Sequence, residues 1–319
     1  MGYNKVRRGG MDMDAKIVFE QMLVLLLMIF VGMAVCKLRI INKDASRQIS
    51  SLMVKLFNPA LLISSAIEDG GNVKSEALIA VGVFTVLMYV FLLIIGKLIS
   101  NVLVKYKEDR IMYQLMTVFS NVAFIGIPVV KSLYGHVGVI YTAVFNLGYS
   151  CCFYTYGLWL VNQAAENNKQ KVSLRSLWNP GVIACAITLF LTLVKIPIPF
   201  FISGAVEYLG SASVPLALLL VGVSLAQNDW KTIFLDWKIY VFSVIKLVVI
   251  PLLVMLALAT LKLDPVVYGV TILMTAMPVG NMAVIGPESV GMDSSICARG
   301  VMVTTILTLV TVPVITMFL

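Results

Sequence analysis

Charge is what this sequence has least of. Only 13% of its 319 residues are Asp, Glu, Lys or Arg, against about 25% in an ordinary soluble domain. Histidine occurs once, at His136, and the five cysteines (Cys36, Cys151, Cys152, Cys185, Cys297) are scattered through or beside apolar stretches. None has metal-ligand spacing, so no metal centre is expected and the cysteines read as small apolar filler. A phosphate-cradling glycine loop, a dinucleotide fingerprint, an HExxH pair and a nucleophile–base set are all missing. These absences argue against a nucleotide-driven machine and an enzyme, and no cofactor is expected. The +8 balance lies mostly in short connections, where an orientation rule accounts for it, so no nucleic-acid partner is implied.

What abounds is apolar surface, with 60% of residues hydrophobic. Runs such as Ile17–Val35, Ala77–Ile99 and Val241–Leu261 have almost no polar face, unlike core helices. About 20 apolar residues cross the hydrocarbon layer of a bilayer. Ten spans are expected: 16–36, 44–66, 74–100, 110–133, 136–163, 174–195, 200–226, 237–261, 265–290 and 294–319. They leave no room for a soluble catalytic domain. The first follows Lys5, Arg7, Arg8 and Lys16 but is too long for a signal-peptide core and lacks a small-x-small end, so it reads as a retained helix.

Basic residues set the orientation. Thirteen lie in or beside the connections after helices 1, 3, 5 and 7, from Lys37, Arg39, Lys43 and Arg47 onward. The even-numbered connections hold only Lys74, Lys131, Lys195 and Lys262. Lysine and arginine favour the cytoplasmic side. The odd-numbered connections are therefore expected inside a cell membrane, with both termini outside.

An internal repeat follows. Helix 2 contains FNPALLISSAI and helix 7 contains SVPLALLLVGVSLA, with Pro59 and Pro215 156 residues apart. The stretches FSNVAFIGIPVVKSLYG in helix 4 and TAMPVGNMAVIGPESVG in helix 9 end in Gly135 and Gly291, again 156 apart, although Pro128 and Pro278 are 150 apart. The expected division is a tail at 1–15, a five-helix repeat at 16–164, a linker at 165–173 and a second repeat at 174–319. Five helices per half invert the second copy, the plan of secondary transporters whose sites lie between discontinuous helices. Pro128 and Pro278 each remove a helix donor, and freed backbone is tolerated at membrane depth only inside protein or beside a wet cavity. Helices 4 and 9 are thus expected to break and cross, their half-helix N-termini favouring a small anion. Ser120, Asn121, Thr275 and Asn281 offer hydrogen bonds there.

Few charges lie inside the spans. Lys246 is nine residues into helix 8, about 14 Å deep, where an ionisable group is functional by default. It is expected to attract an anionic substrate or to titrate. Lys55, in SLMVKLFNPA, is a weaker candidate of the same kind, with snorkelling to the interface the favoured reading. Glu288 and Arg299 flank the last turn and read as an ion pair, with a cytoplasmic gate as the alternative. Asn58 and Asn146 are deep enough to need partners.

The four quoted motifs, in this order among ten helices, resemble the auxin efflux carrier family of membrane transporters over roughly 16–319. The resemblance implies a 5+5 inverted repeat with helices 4 and 9 crossing at prolines, a scaffold of helices 1, 2, 6 and 7, a moving core of helices 3–5 and 8–10, and often a homodimer through the scaffold. It also implies transport of small organic anions, malate-like dicarboxylates among them. Carried over by position, the crossing residues are Asn121, Gly126, Ile127 and Pro128, and Pro278, Gly280 and Asn281. Ala123 stands where the family often has glycine. The long hydrophilic loop of plant hormone carriers is absent, which points to the compact, bacterial type. Gly286-Pro287 adds a second break without a place in the family pattern.

The expectation is an all-α polytopic membrane protein in lipid that carries a small organic anion, a carboxylate such as malate, by alternating access, driven by an H+ or Na+ gradient or by the membrane potential. A sodium-coupled symporter similar to the bile-acid carriers is the nearest variant, though no midplane carboxylate favours it. A channel or membrane sensor is the alternative of a different class. A reporter active only in the cytoplasm, fused after Leu319, should stay silent; a strong signal would overturn the orientation.

Overall fold

The computed structural model describes residues 15–163, 178–227 and 236–319. The expected linker at 165–173, the start of helix 6 at 174–177 and the tail up to residue 14 lie outside the described residues. Every regular element described is helical, and the β-type contact is an isolated antiparallel bridge between Ser120 and Val279. Ten helices can be followed. Helix α1 is Ala15–Lys37; α2 runs through Lys43–Leu52, Met53–Phe57 and Asn58–Asp69; α3 is Ser75–Leu103. Helix α4 has two pieces, α4a at Lys107–Val118 and α4b starting with Val122–Gly126. Helix α5 ends in Phe153–Gly157 and Leu158–Asn162, and α6 is Pro180–Val194. Helix α7 combines Phe200–Ser211 and Ser213–Gln227, and α8 combines Trp237–Val244, Ile245–Val249 and Ile250–Leu258. Helix α9 splits into α9a at Pro265–Ala276 and α9b at Met282–Glu288, and α10 is Ser295–Thr316.

Among the described residues, seven helical stretches are long and apolar enough to cross a membrane. One of them, Val122–Asn162, has 41 residues, or about 60 Å at 1.5 Å per residue, twice the hydrocarbon thickness. Gly135 divides it. Its φ of 62° and ψ of −150° turn α4b into α5, a conformation open mainly to glycine. Gly291, with φ of 82°, ends the α9b segment in the same way. The 156-residue offset therefore marks one turn used twice. The shorter apolar helices Pro180–Val194 and Pro265–Ala276 complete the set. The chain is a multi-pass all-α membrane protein.

Short polar residues start the helices that follow connections. Asn42 Oδ1 accepts from the Ala45 amide at 2.8 Å, and Asp264 Oδ1 accepts from the Val266 amide at 2.9 Å. Asn179 does the same for Val182 at 3.1 Å. Pro180 and Pro265 follow their caps, in the first turn where no amide is missed. Inside the membrane, proline acts differently. The wide π turns Met53–Phe57, Val122–Gly126 and Ile245–Val249 each end two residues before a proline, at Pro59, Pro128 and Pro251. Widening the turn relieves the clash between the proline ring and the preceding carbonyl, so the helix continues.

This corrects the expected position of the first break. Pro128 lies in the first turn of a regular helix. The interruption is at Phe119–Asn121, upstream of Pro128. In α9 the interruption does include its proline, at Met277–Asn281. The unequal spacing of the two prolines is thereby explained: they are not equivalent residues. Gly286-Pro287 makes no second break, because Pro287 sits in the last turn of α9b, where the helix ends anyway.

Packing brings α1 against α7 and α2 against both α6 and α7. The α1–α7 crossing is backbone on backbone. A Cβ on Gly222 would lie 2.0 Å from the Ile29 carbonyl oxygen, and one on Gly32 would lie 2.2 Å from that of Leu219. Small residues at such contacts let membrane helices approach closely. Outward faces, such as Leu27 and Phe30 on α1 and Ile79 and Val86 on α3, expose large apolar side chains, as a lipid environment requires. Gly222→Ala should destabilise the detergent-purified protein by about 1–3 kcal/mol, read as a lower melting temperature. Gly204→Ala, which meets nothing within 4 Å, should not; equal melting of the two variants would contradict this packing.

Candidate functional site

The two interruptions meet. The Asn121 amide donates to the Pro278 carbonyl at 2.7 Å, and the Gly280 amide donates to the Phe119 carbonyl at 2.8 Å. Groups that a break would orphan in an apolar interior thus satisfy each other, as membrane depth demands. The contact is close: a Cβ on Gly280 would lie 2.7 Å from the Ser120 carbonyl oxygen, so any other residue would force the strands apart. Side chains finish the crossing. Asn121 Oδ1 accepts from the Phe124 amide at 3.1 Å, starting α4b, and Thr304 Oγ1 on α10 accepts from the Val279 amide at 3.0 Å.

Beside the crossing lies a cavity of about 490 Å³. Its walls combine the crossing (Ser120, Asn121, Gly280, Asn281) with α2 (Arg47, Ser50, Ser51, Lys55, Asn58), α5 (Asn146, Tyr149, Phe153, Tyr154) and the start of α6. Arg47, Tyr154 and Asn179 belong to helix ends that adjoin odd-numbered connections, so the cavity runs from that side to the crossing. A smaller space of about 120 Å³ lies between α2, α7 and α10 and shares Ser50, Asn121, Phe124 and Asn281 with the first. The two asparagines stand between both spaces. The lining includes two basic side chains and no carboxylate among the described residues.

Each deep asparagine has found a partner. Asn58 Oδ1 accepts from Ser213 Oγ at 2.5 Å, and its amide nitrogen donates to the Ala123 carbonyl at 3.5 Å. Asn58 precedes Pro59 and Ser213 precedes Pro215 by two residues, so α2 and α7 join beside their equivalent prolines. Asn146 Nδ2 donates to Cys185 Sγ on α6 at 3.4 Å.

The expected site residues divide. Asn121, Ile127, Gly280 and Asn281 border the cavity. Gly126, Pro128, Pro278 and Thr275 do not; Gly126 packs on Met274 and Met277, and Thr275 is buried with its hydroxyl on the Ile272 carbonyl. Lys246 is fully buried behind the crossing and does not border the cavity. Its Nζ donates to the Thr117 carbonyl at 2.7 Å and to Ser120 Oγ at 2.8 Å. Glu288 and Arg299 form no ion pair. Glu288 accepts from Ser294 Oγ at 2.8 Å, while Arg299 Nε is buried without a partner. The carboxylate of Asp293 is held below its usual range by the Ser295 amide and hydroxyl, with the Arg299 charge adding to them.

Sequence reasoning passed over Arg47 as a loop charge and ranked Lys55 below Lys246, favouring a snorkelling lysine. The signal was available: Arg47, Ser50, Ser51, Lys55 and Asn58 recur at helical spacing and make a polar stripe that runs from the polar start of α2 into its apolar part. On the far side of the crossing, α2 is tied to the α4b–α5 turn. His136 Nδ1 shares a hydrogen bond with Ser65 Oγ at 3.0 Å, its Nε2 meets Glu68 Oε2 at 2.5 Å, and Lys131 Nζ contacts the ring.

Comparison with known proteins gives concordant results. The profile of a family described as membrane transport protein matches residues 17–316. An uncharacterized transporter of Methanocaldococcus jannaschii is 19% identical over 297 residues, covering 92% of this chain and 96% of that protein. An uncharacterized transporter of Methanothermobacter thermautotrophicus is 20% identical over 302 residues, with the same two coverages. Alkylation of an engineered cysteine checks the geometry. With the native cysteines replaced, Ser51→Cys should react with a membrane-impermeant maleimide and Val130→Cys, fully buried, should not; the reverse pattern would contradict the cavity.

Proposed function

Because the chain belongs to the membrane transport protein family, the auxin efflux carrier-like group that its motifs resemble, we propose that it is a secondary carrier of small organic anions working by alternating access. The observation that carries this reading is the chemistry of the cavity wall: Arg47 and Lys55 as cations, amides from Asn58, Asn121, Asn146 and Asn281, and no described carboxylate. A carboxylate matches such a wall, since charge-assisted hydrogen bonds are the strong ones. The positive end of α4b at Asn121 adds to the attraction. Tyr149, Phe153 and Tyr154 would cover the apolar body of the solute. Two cations suit a dicarboxylate of the malate type.

The remaining parts of the reading follow from this. The basic connections put the open mouth of the cavity on the cytoplasmic side of a cell membrane, with both termini outside. The Ser65–His136–Glu68 contacts then close the opposite side. Helices α1, α2, α6 and α7 form the scaffold, where a homodimer would assemble, and the rest form the moving core. The carrier has no catalytic role, and the energy comes from an ion gradient or the membrane potential.

Uptake by proteoliposomes tests the reading, with labelled malate, succinate and an aromatic monocarboxylate as probes. The wild type should take up at least one, with faster uptake when unlabelled probe is preloaded, as a carrier shows and a channel does not. Arg47→Gln or Lys55→Gln should raise KM about tenfold, the scale of losing one hydrogen bond to a charged group. Transport restricted to neutral or cationic solutes would contradict the proposal, and an unchanged KM in both variants would remove the two side chains from it.

A further inference from the structure

The side chain of Lys246 is unusual in what surrounds it. No part of it is exposed, and no carboxylate lies within ion-pair distance among the described residues. Its two acceptors are neutral oxygens, both created or positioned by the interruption of α4. In an unbroken helix, the Thr117 carbonyl would accept the amide of Asn121, four residues on. That amide donates to Pro278 instead. The break therefore leaves the Thr117 carbonyl at the negative end of α4a, and Lys246 Nζ fills the place at 2.7 Å. Its second bond, 2.8 Å to Ser120 Oγ, reaches a residue that borders the cavity. The π turn Ile245–Val249 carries Lys246, so the local widening of α8 sits at the residue that reaches the crossing.

In transporters with unwound helices, freed main-chain carbonyls and the C-terminal ends of half-helices hold the coupling cation; the Thr117 carbonyl is such a group, and the Ser120 hydroxyl beside it adds a second neutral oxygen. We propose that the Lys246 ammonium is a built-in substitute for that cation, so that anion transport by this chain requires no sodium. Lys246 is then a positioning residue. It holds the end of α4a and the Ser120 side chain of the cavity wall without touching the solute. The equivalent interruption in α9 is met differently, by the Thr304 hydroxyl on the Val279 amide, so the substitution is confined to one half of the repeat.

The proposal rests on the transport reading above, and two readouts keep them apart. Uptake of labelled malate, or of whichever probe anion is carried, is measured in proteoliposomes in sodium, potassium or choline chloride. The wild type should give equal rates in all three. Lys246→Ala should lose about tenfold in choline, the effect of leaving a buried carbonyl without a donor, and should recover when sodium or propylammonium is supplied. The second readout needs no transport: sodium or propylammonium chloride should raise the melting temperature of purified Lys246→Ala relative to choline chloride and leave the wild type unchanged. If no anion is carried, the transport reading fails and the melting comparison still decides the cation site. A wild type that needs sodium overturns the proposal, and this result requires no variant. So does a Lys246→Ala protein that works at the wild-type rate in choline, or a folded one that no cation stabilises.

Discussion

The structure depends on a backbone contact, the exchange of hydrogen bonds between Phe119–Asn121 and Pro278–Gly280. Two helices interrupted inside a membrane would each carry unsatisfied amides and carbonyls, at several kcal/mol per group. Meeting at their gaps turns two liabilities into one joint. Everything near the joint follows from its geometry. Gly280 is required because the Ser120 backbone leaves no space for a side chain. Asn121 caps the outgoing half of α4, Thr304 caps the Val279 amide, and Lys246 takes the carbonyl left over.

The joint also explains why a polar cavity exists at this depth. The interruptions expose Ser120, Asn121, Gly280 and Asn281 along one wall, while α2 supplies a stripe of polar residues along another. Asn58 connects the walls through Ser213 and the Ala123 carbonyl. The cavity runs toward the odd-numbered connections, and the ties of His136 to Ser65 and Glu68 lie on the far side of the crossing. For a carrier, exchanging these two conditions requires α2 and the crossing to move relative to each other. The ties available for breaking are few, local and polar, whereas the α1–α7 glycine contact is backbone on backbone and resists sliding.

Much of the fold was legible because membrane helices announce themselves by apolar length, and the order of ten survived with ends shifted by a few residues. The repeat was legible where it rests on backbone conformation: Gly135 and Gly291 both adopt positive φ, and no other residue type does so freely. It misled where it rested on proline. A proline shows only that one amide is missing, and a π turn can absorb that loss, as it does before Pro59, Pro128 and Pro251. The site was half legible. Asn121, Gly280 and Asn281 lie along the cavity, whereas Lys246 points into the joint, and the cations of the cavity are on α2. Depth along a helix is visible in a sequence, whereas the direction of a side chain depends on the partner helix.

In the proposed carrier, the anion lies between the crossed breaks and α2. Solvent access to Asn281, which borders both spaces, tests it most directly. In a chain without native cysteines, Asn281→Cys is alkylated by an impermeant maleimide applied to one face of sealed vesicles at a time, with and without a saturating concentration of a transported carboxylate. Rapid labelling from the face with the odd-numbered connections and strong slowing by the carboxylate are expected. Labelling at the same rate with and without a saturating transported anion would contradict it.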